Sequence, residues 1–207
     1  LLSPLYLPLG ITGIYSLAVQ LATVLSNVAG ALYSANQPVL QSAYISNNKD
    51  AMRRSMSLIV VSYAVLYTIG LTVILTVGLP VIRLIKPNNT PTAAVMLGVG
   101  IYQFILKFRN CYTSYFSCTN RIPYVWSFII SSFAGVLLTV IMLEAGMGVW
   151  GMILAQLISQ MVFNMWYWTR KAHREMELGL GDTVRFGWDE LKKIVKEFFG
   201  KRKAGNA

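Results

Sequence analysis

The sequence predicts an all-α integral membrane protein, a polytopic bundle of about five to six transmembrane helices. Two observations predict this class. First, 55% of the 207 residues are hydrophobic and only 13% are charged, a composition that few soluble domains have. Second, apolar stretches of about 20 residues follow one another, and the charges are confined to their ends.

The spans are predicted from the apolar runs and from the Gly, Pro and charged residues that end them. Residues 1–9 are apolar but lack the basic segment and cleavage site of a signal peptide. We interpret them as the end of a partial span, which suggests a fragment or a protein whose start lies upstream. Five further spans are predicted at residues 11–34, 56–79, 92–117, 125–144 and 149–168, with prolines ending the second one. Residues 1–175 would therefore form one transmembrane lobe.

The loops predict the orientation of the chain. One side receives Lys49, Arg53, Arg54, Arg121, Arg170, Lys171 and Arg174, and the other receives Arg83 and Lys86. Because positively charged loops stay in the cytoplasm, the C-terminus is predicted to be cytoplasmic. The net charge of +10 is typical of contact with lipid headgroups when it lies in short loops and a tail. No nucleic-acid partner is expected.

Residues 176–207 are predicted to form a cytoplasmic, basic, amphipathic tail. Four apolar residues share one helical face, namely Trp188, Leu191, Val195 and Phe198, and lysines lie elsewhere. Such a helix is expected to lie on the inner headgroup layer. A solvated tail helix without lipid contact is the alternative.

Two cations lie inside the third predicted span, in the run "YQFILKFRNCYTSY". Lys107 shares one helical face with three polar residues, Gln103, Asn110 and Ser114. A charge at the centre of a membrane helix costs about 2.5–3.5 kcal/mol on insertion scales, so Lys107 is expected to line a wet cavity. A structural ion pair or a snorkelling position is the alternative. Arg109 points elsewhere, and it is expected to snorkel to the headgroups or to pair with a helix absent from this chain.

Polar residues also follow one face of the first full span. They are Ser16, Gln20, Thr23, Asn27, Ser34 and Gln41. Such a stripe either holds helices together or lines a solvated pathway, and its length favours the pathway. A shorter stripe in the last span, Gln156, Gln160 and Asn164, is expected to hold helices together. The second and fourth spans carry nothing more polar than hydroxyls and are expected to face lipid.

No catalytic or metal-binding constellation is recognisable. The single histidine, His173, lies beyond the last span, and Glu144 is the only carboxylate near a span apart from Asp50 in a loop. We therefore expect neither an enzyme nor a cofactor or metal. Cys111 and Cys118 lie seven residues apart on one helix, too far for a disulfide, and are expected to be small buried apolar residues.

The runs "GITGIYSLAVQLATVLSNVAGAL", "QPVLQSAYISNNKDAMRRS", "GLPVIRLIKP" and "EAGMGVWGMILAQLISQMVFNMWYWTRKAH" are similar to the second half of the bacterial polysaccharide flippases. These form the Wzx-like branch of the multidrug/oligosaccharidyl-lipid/polysaccharide exporter superfamily. The likeness covers roughly residues 5–175. It implies that the chain is most of the second lobe of a two-lobe transporter in the bacterial cytoplasmic (inner) membrane.

The resemblance also implies a function. Such a flippase moves a lipid-diphosphate-linked oligosaccharide between leaflets by alternating access, in O-antigen or capsule biosynthesis. Expected partners are this substrate, membrane lipids, the missing N-terminal lobe and polysaccharide polymerase machinery. The substrate cavity would contain Lys107, Gln103, Asn110, Ser114, Gln20, Thr23, Asn27 and Arg109, with Lys107 meeting the diphosphate.

Other functions remain open at this stage. A cation-coupled multidrug exporter of the same superfamily would need intramembrane carboxylates, and this chain has none at depth. A membrane scaffold without a transport path would use its polar stripes only to join helices. A membrane enzyme of glycan assembly is a third alternative, and only "RLIKPNNTPT" offers it an external loop.

Overall fold

The computed structural model describes the backbone of residues 3–204 and the side chains of residues 4–197, and it is all-helical in that part of the chain. The helices are α1 (Ser3–Tyr6), α2 (Leu9–Ala29), α3 (Ala31–Ile45), α4 (Lys49–Val73), α5 (Leu79–Ile85), α6 (Ala93–Cys118), α7 (Val125–Glu144), α8 (Gly148–Met161), α9 (Asn164–Met176) and α10 (Leu180–Ala204). Four helical segments of the described chain are long and apolar enough to cross a membrane: Leu9–Ala29, Lys49–Ile85, Val125–Glu144 and Gly148–Met176. The chain thus has the character of a membrane protein.

Helix α6 is the central element of the bundle although it is not one of these four segments. It packs against α2, α3, α4, α8 and α9. It contributes Tyr112 and Phe116 to one apolar core and Met96 and Val99 to the other. Because α6 is packed against five neighbours, its second half can carry polar residues that a lipid-facing helix could not, while Leu97 and Ile101 of its first half are exposed.

The second predicted span does not end before Pro80, contrary to expectation. A π-helical turn at Ile74–Gly78 joins α4 to α5, so that one helix of 37 residues runs from Lys49 to Ile85. The wider turn precedes Pro80 and accommodates its missing N–H and its ring without ending the helix. At about 1.5 Å per residue the helix is longer than the hydrocarbon layer of about 30 Å, so part of it projects beyond the lipid.

The expectation that α4 and α7 both face lipid is wrong for the first half of α4, whereas Leu66, Ile69 and Val73 of its second half are exposed. Every residue from Ser55 to Tyr63 is buried, and Tyr67 is buried further along. Helix α7 behaves as expected, because it buries only a narrow stripe, Ser131, Gly135, Thr139 and Leu143. The hydroxyls of α4 misled the prediction, since tyrosines and serines pack inside a bundle as well as they face its surface.

The tail helix α10 docks on α4 with a different face from the predicted one. Gly187 lies against the α4 backbone, where an added Cβ would be 2.4 Å from the Ser57 carbonyl oxygen. Arg54 Nη1 donates to Glu190 Oε1 at 3.1 Å, and the Arg54 guanidinium lies over the Phe186 ring. Lys193 donates to the same carboxylate, and with Arg54 it holds the pKa of Glu190 below its ordinary value.

Much of the predicted lipid face remains exposed beside this interface. Trp188 and Val195 are 44% and 47% exposed, while Leu191 is partly buried. The side chain of Phe198 lies outside the described residues. Helix α10 therefore has one face held by the bundle and an adjacent apolar face open to the surroundings.

Two glycines of α10 give a matched test of this docking. Gly187→Ala should weaken the contact, because the Cβ meets backbone that cannot move aside, at a cost of about 1–3 kcal/mol. Gly181→Ala meets nothing within 4 Å and should stabilise the helix by about 0.5–1 kcal/mol. Melting temperature and the rate of tryptic cleavage at Lys192 and Lys193 measure both effects. Equal behaviour of the two variants would show that α10 is not docked at Gly187.

Candidate functional site

A cavity of about 320 Å³ lies between α2, α3, α4 and α6. It is lined by Ser26, Asn27, Gly30, Tyr33, Ser34, Tyr63, Lys107, Asn110 and Cys111. One of these nine residues is cationic, none is acidic and six carry neutral hydroxyl or amide groups. The cavity is therefore rich in hydrogen-bond donors and carries a positive charge.

The break between α2 and α3 shapes one wall of the cavity. Gly30 separates the two helices, and a Cβ there would lie 3.0 Å from the carbonyl oxygen of Ser26. Ser26, which precedes the break, and Tyr33, which follows it, both line the cavity. The opposite wall is aromatic, since the ring of Tyr63 stacks on Phe104 with centroids 5.8 Å apart. Stacking of this kind fixes the position of the Tyr63 hydroxyl.

Lys107 lines this cavity and is partly buried. Among the residues that the structure describes, no hydrogen bond or salt bridge engages its ammonium group. All described salt bridges lie in the charged region formed by the beginning of α4, Glu177 and α10. A partly buried ammonium without a counter-ion attracts anions more strongly than one in bulk water.

Two hydroxyls on the cavity wall also have no protein partner. Ser26 Oγ and Tyr63 OH are buried, with residue exposures of 2% and 1%, and neither forms a hydrogen bond within the described chain. A buried hydroxyl without a partner costs about 1–3 kcal/mol. Both residues line the cavity, and the described chain leaves the hydrogen-bonding capacity of these two hydroxyls unused.

Arg109 does not line the cavity and follows neither of the two predictions made for it. It is 7% exposed, and its Nη1 donates a short hydrogen bond to Gln160 Oε1. Its guanidinium carbon lies 3.7 Å from the centroid of the Phe128 ring. Arg109 therefore pairs with α8 and α7 of this chain, rather than with headgroups or an absent helix. An amide oxygen and an aromatic face suit a buried guanidinium because they meet its donors and its charge.

The short polar stripe of the last span joins helices, as expected. Asn164 Nδ2 donates to Ser131 Oγ at 2.7 Å and to Gln160 Oε1 at 3.4 Å. Together with Arg109 these side chains connect α6, α7, α8 and α9. This polar cluster joins four helices, although Asn164 Oδ1 is buried without a partner within the described chain.

Asn110 connects the polar cluster to the cavity. Its Oδ1 accepts from Arg109 Nη2 at 3.2 Å and from Nε at 3.4 Å. Its amide nitrogen is therefore the group that can donate a hydrogen bond to a ligand in the cavity. Arg109 thus makes Asn110 a donor on the wall beside Lys107.

The structure brings together only part of the predicted site. Asn27, Lys107 and Asn110 line the cavity, and Ser34 of the same predicted stripe joins them. Five predicted residues do not line it: Gln103, Ser114, Gln20, Thr23 and Arg109. Thr23 and Ser114 donate instead to carbonyls of their own helices, at 2.8 Å and 2.6 Å.

The outer surface of α2 and α3 is polar beside the cavity. Gln20, Asn27, Ser34 and Gln41 are all exposed there. Amide groups are unfavourable against hydrocarbon, so this surface is suited to water or to another protein element. The sequence showed this stripe, but it could not show that Ser26, Tyr33 and Tyr63 complete the cavity, because they lie off the stripe.

No family model matches this chain, and no curated protein or solved structure matches it either. The likeness to polysaccharide flippases therefore stays a prediction from the sequence.

Cysteine accessibility tests whether the cavity is wet. In a background of Cys111→Ala and Cys118→Ala, a cysteine at Asn27 or Lys107 should react with a charged, water-borne thiol reagent, because the cavity is polar. A cysteine at Phe133 should not react, although Phe133 is 74% exposed, because α7 faces lipid. Labelling of Phe133→Cys but not of Lys107→Cys would contradict the assignment.

The two cations of α6 should differ in their effect on stability. Arg109→Met leaves Gln160 and Asn110 without a charged donor, which should cost about 1.5–3 kcal/mol. Lys107→Met breaks no bond that the structure describes and should change stability by less than about 0.5 kcal/mol. Melting temperatures in the same detergent compare the two. A larger loss for Lys107→Met would show that Lys107 has a structural partner.

Proposed function

We propose that this chain is the second lobe of a flippase that moves a lipid-diphosphate-linked oligosaccharide across the bacterial cytoplasmic membrane by alternating access. The observation that carries the proposal is the cavity around Lys107. It contains an ammonium group that has no counter-ion within the described chain, together with the Asn110 amide and the buried hydroxyls of Ser26 and Tyr63. A diphosphate needs this combination of one charge and several neutral donors when it enters the apolar layer.

The size of the cavity limits which part of the substrate it takes. Its volume of about 320 Å³ is at the lower end of the range of ligand pockets, about 300–1,000 Å³. The diphosphate would fit there, while a whole oligosaccharide would not. The glycan would then extend along the polar surface of Asn27 and Ser34, between this lobe and an N-terminal lobe.

The charge of the cavity favours this function over a cation-coupled exporter. Coupling to protons or sodium requires carboxylates in the membrane, and no carboxylate lines the cavity. A scaffold needs polar groups that bond to one another, as Arg109 does with Gln160 and Asn110. The Lys107 cavity differs from that cluster because its donors are left for a ligand.

The proposal includes a location and partners. The chain would lie in the inner membrane as a multi-pass protein with its C-terminus in the cytoplasm, in contact with membrane lipids and with the machinery of polysaccharide assembly. It would perform no covalent chemistry and require no cofactor. Transport would depend on binding the diphosphate in one orientation of the lobes and releasing it in the other.

Charge substitution at Lys107 tests the proposal in the complete transporter. Lys107→Gln should lower the rate of oligosaccharide flipping in proteoliposomes about 10- to 100-fold, because one charge-assisted hydrogen bond to phosphate is lost. Lys107→Arg should retain more of the rate, since it keeps the charge. Lys86→Gln, an exposed cation outside the cavity, is the control and should transport normally.

The outcome with Arg109 completes this test. If Lys107→Gln transports normally while a folded Arg109→Gln does not, the cavity has been assigned to the wrong face of α6. If both variants transport normally, the chain does not move an anion past α6, and the scaffold becomes the better explanation.

A further inference from the structure

A second groove, of about 460 Å³, lies on the outside of the bundle where α8 meets α9. It is lined by Val162, Phe163, Trp166, Tyr167, Arg170, Lys171, Arg174 and Glu175. None of these residues lines the Lys107 cavity. The groove is therefore a separate site, and its role does not depend on the proposed transport function.

A break in the last apolar segment forms this groove. Helix α8 ends at Met161 and α9 begins at Asn164, which turns Val162 and Phe163 outward with exposures of 76% and 45%. The Phe163 ring stacks on Tyr167, with centroids 4.7 Å apart and the planes at 18°. Trp166 is 55% exposed on the same part of α9. One end of the groove is thus a built aromatic surface.

The other end of the groove is cationic. Arg170, Lys171 and Arg174 line it, against a single carboxylate at Glu175. None of the three cations forms a salt bridge within the described chain, whereas Arg53 and Arg54 pair with Glu177 and Glu190. Lys171 Nζ lies 5.3 Å from the centroid of the Trp168 ring, and Arg170 and Arg174 are exposed. Cations without a carboxylate partner beside exposed aromatic rings are suited to an anion that carries apolar chains.

The order of these groups along the helix matches the order within a phospholipid. The aromatic residues lie at 163–167, next to a segment that is apolar enough to cross a membrane, and the cations follow at 170–174. At about 1.5 Å per residue, roughly 10 Å separates the middle of one group from the middle of the other. Acyl chains and a phosphate headgroup are arranged in the same sequence across the membrane interface.

We propose that this groove binds a single anionic phospholipid. Its phosphate would contact Arg170, Lys171 and Arg174, and the upper part of its acyl chains would lie against Phe163, Trp166 and Tyr167. A soluble anionic partner would use the cations and leave the aromatic end exposed. A neutral lipid would use the aromatic end and leave three cations unpaired.

Lipid titration of the purified protein in neutral detergent tests this site. Phosphatidylglycerol should raise the melting temperature of the protein, and phosphatidylglycerol molecules should remain bound to it in native mass spectrometry. Phosphatidylcholine should have a much weaker effect because it has no net negative charge. Inorganic phosphate should also have a much weaker effect because it has no acyl chains. Arg170→Gln combined with Arg174→Gln should weaken phosphatidylglycerol binding about tenfold or more.

The control carries the same loss of charge elsewhere. Arg83→Gln combined with Arg121→Gln removes two exposed cations outside the groove and should bind phosphatidylglycerol as the wild type does. Trp166→Ala should weaken phosphatidylglycerol binding without changing the response to inorganic phosphate. Equal binding by the groove variant and the control would overturn the site. Equal stabilisation by inorganic phosphate and phosphatidylglycerol would overturn the lipid as its occupant.

Discussion

The arrangement of this protein depends on keeping the polar groups of α6 away from hydrocarbon. Helix α6 carries Lys107, Arg109 and Asn110 in a bundle whose other long segments are apolar. Exposing a charged side chain to lipid is among the most unfavourable single contributions to the folding free energy of a membrane protein. The bundle avoids this cost by surrounding α6 with five other helices. The positions of α2, α4 and α8 around it, and therefore both its polar sites, follow from this requirement.

The two cations of α6 satisfy the same requirement in opposite ways. Arg109 is surrounded by protein, and its donors and its charge are met by Gln160, Asn110 and Phe128. Lys107 meets no partner within the described chain and lies on a cavity. The planar guanidinium suits a fixed set of partners, while the compact ammonium on a flexible stem suits a ligand that comes and goes. Asn110 accepts hydrogen bonds from Arg109 and also lines the cavity beside Lys107. The buried cluster therefore helps to fix this part of the cavity wall.

The sequence predicted the helical class, and helix α7 covers the same residues as the fourth predicted span. It also predicted that Lys107 and Asn110 share a wall of a cavity, because helical periodicity decides which residues share a face. It failed where contacts between distant segments decide. Gln160 is 51 residues from Arg109, and Tyr63 reaches the cavity through packing against Phe104. Pro80 was misread because the π-helical turn that accommodates it leaves no recognisable pattern.

In the proposed function, the diphosphate of the substrate enters the Lys107 cavity. Photocrosslinking in the complete transporter tests it most directly, with a photoreactive amino acid in place of Ser34, which lines the cavity, or of Ser132, which is exposed on α7. The probe at Ser34 should crosslink to a radiolabelled lipid-diphosphate oligosaccharide, and excess unlabelled substrate should prevent this, while the probe at Ser132 should not crosslink. Crosslinking at Ser132 alone, or at neither position in a transporter that is active, would contradict the account.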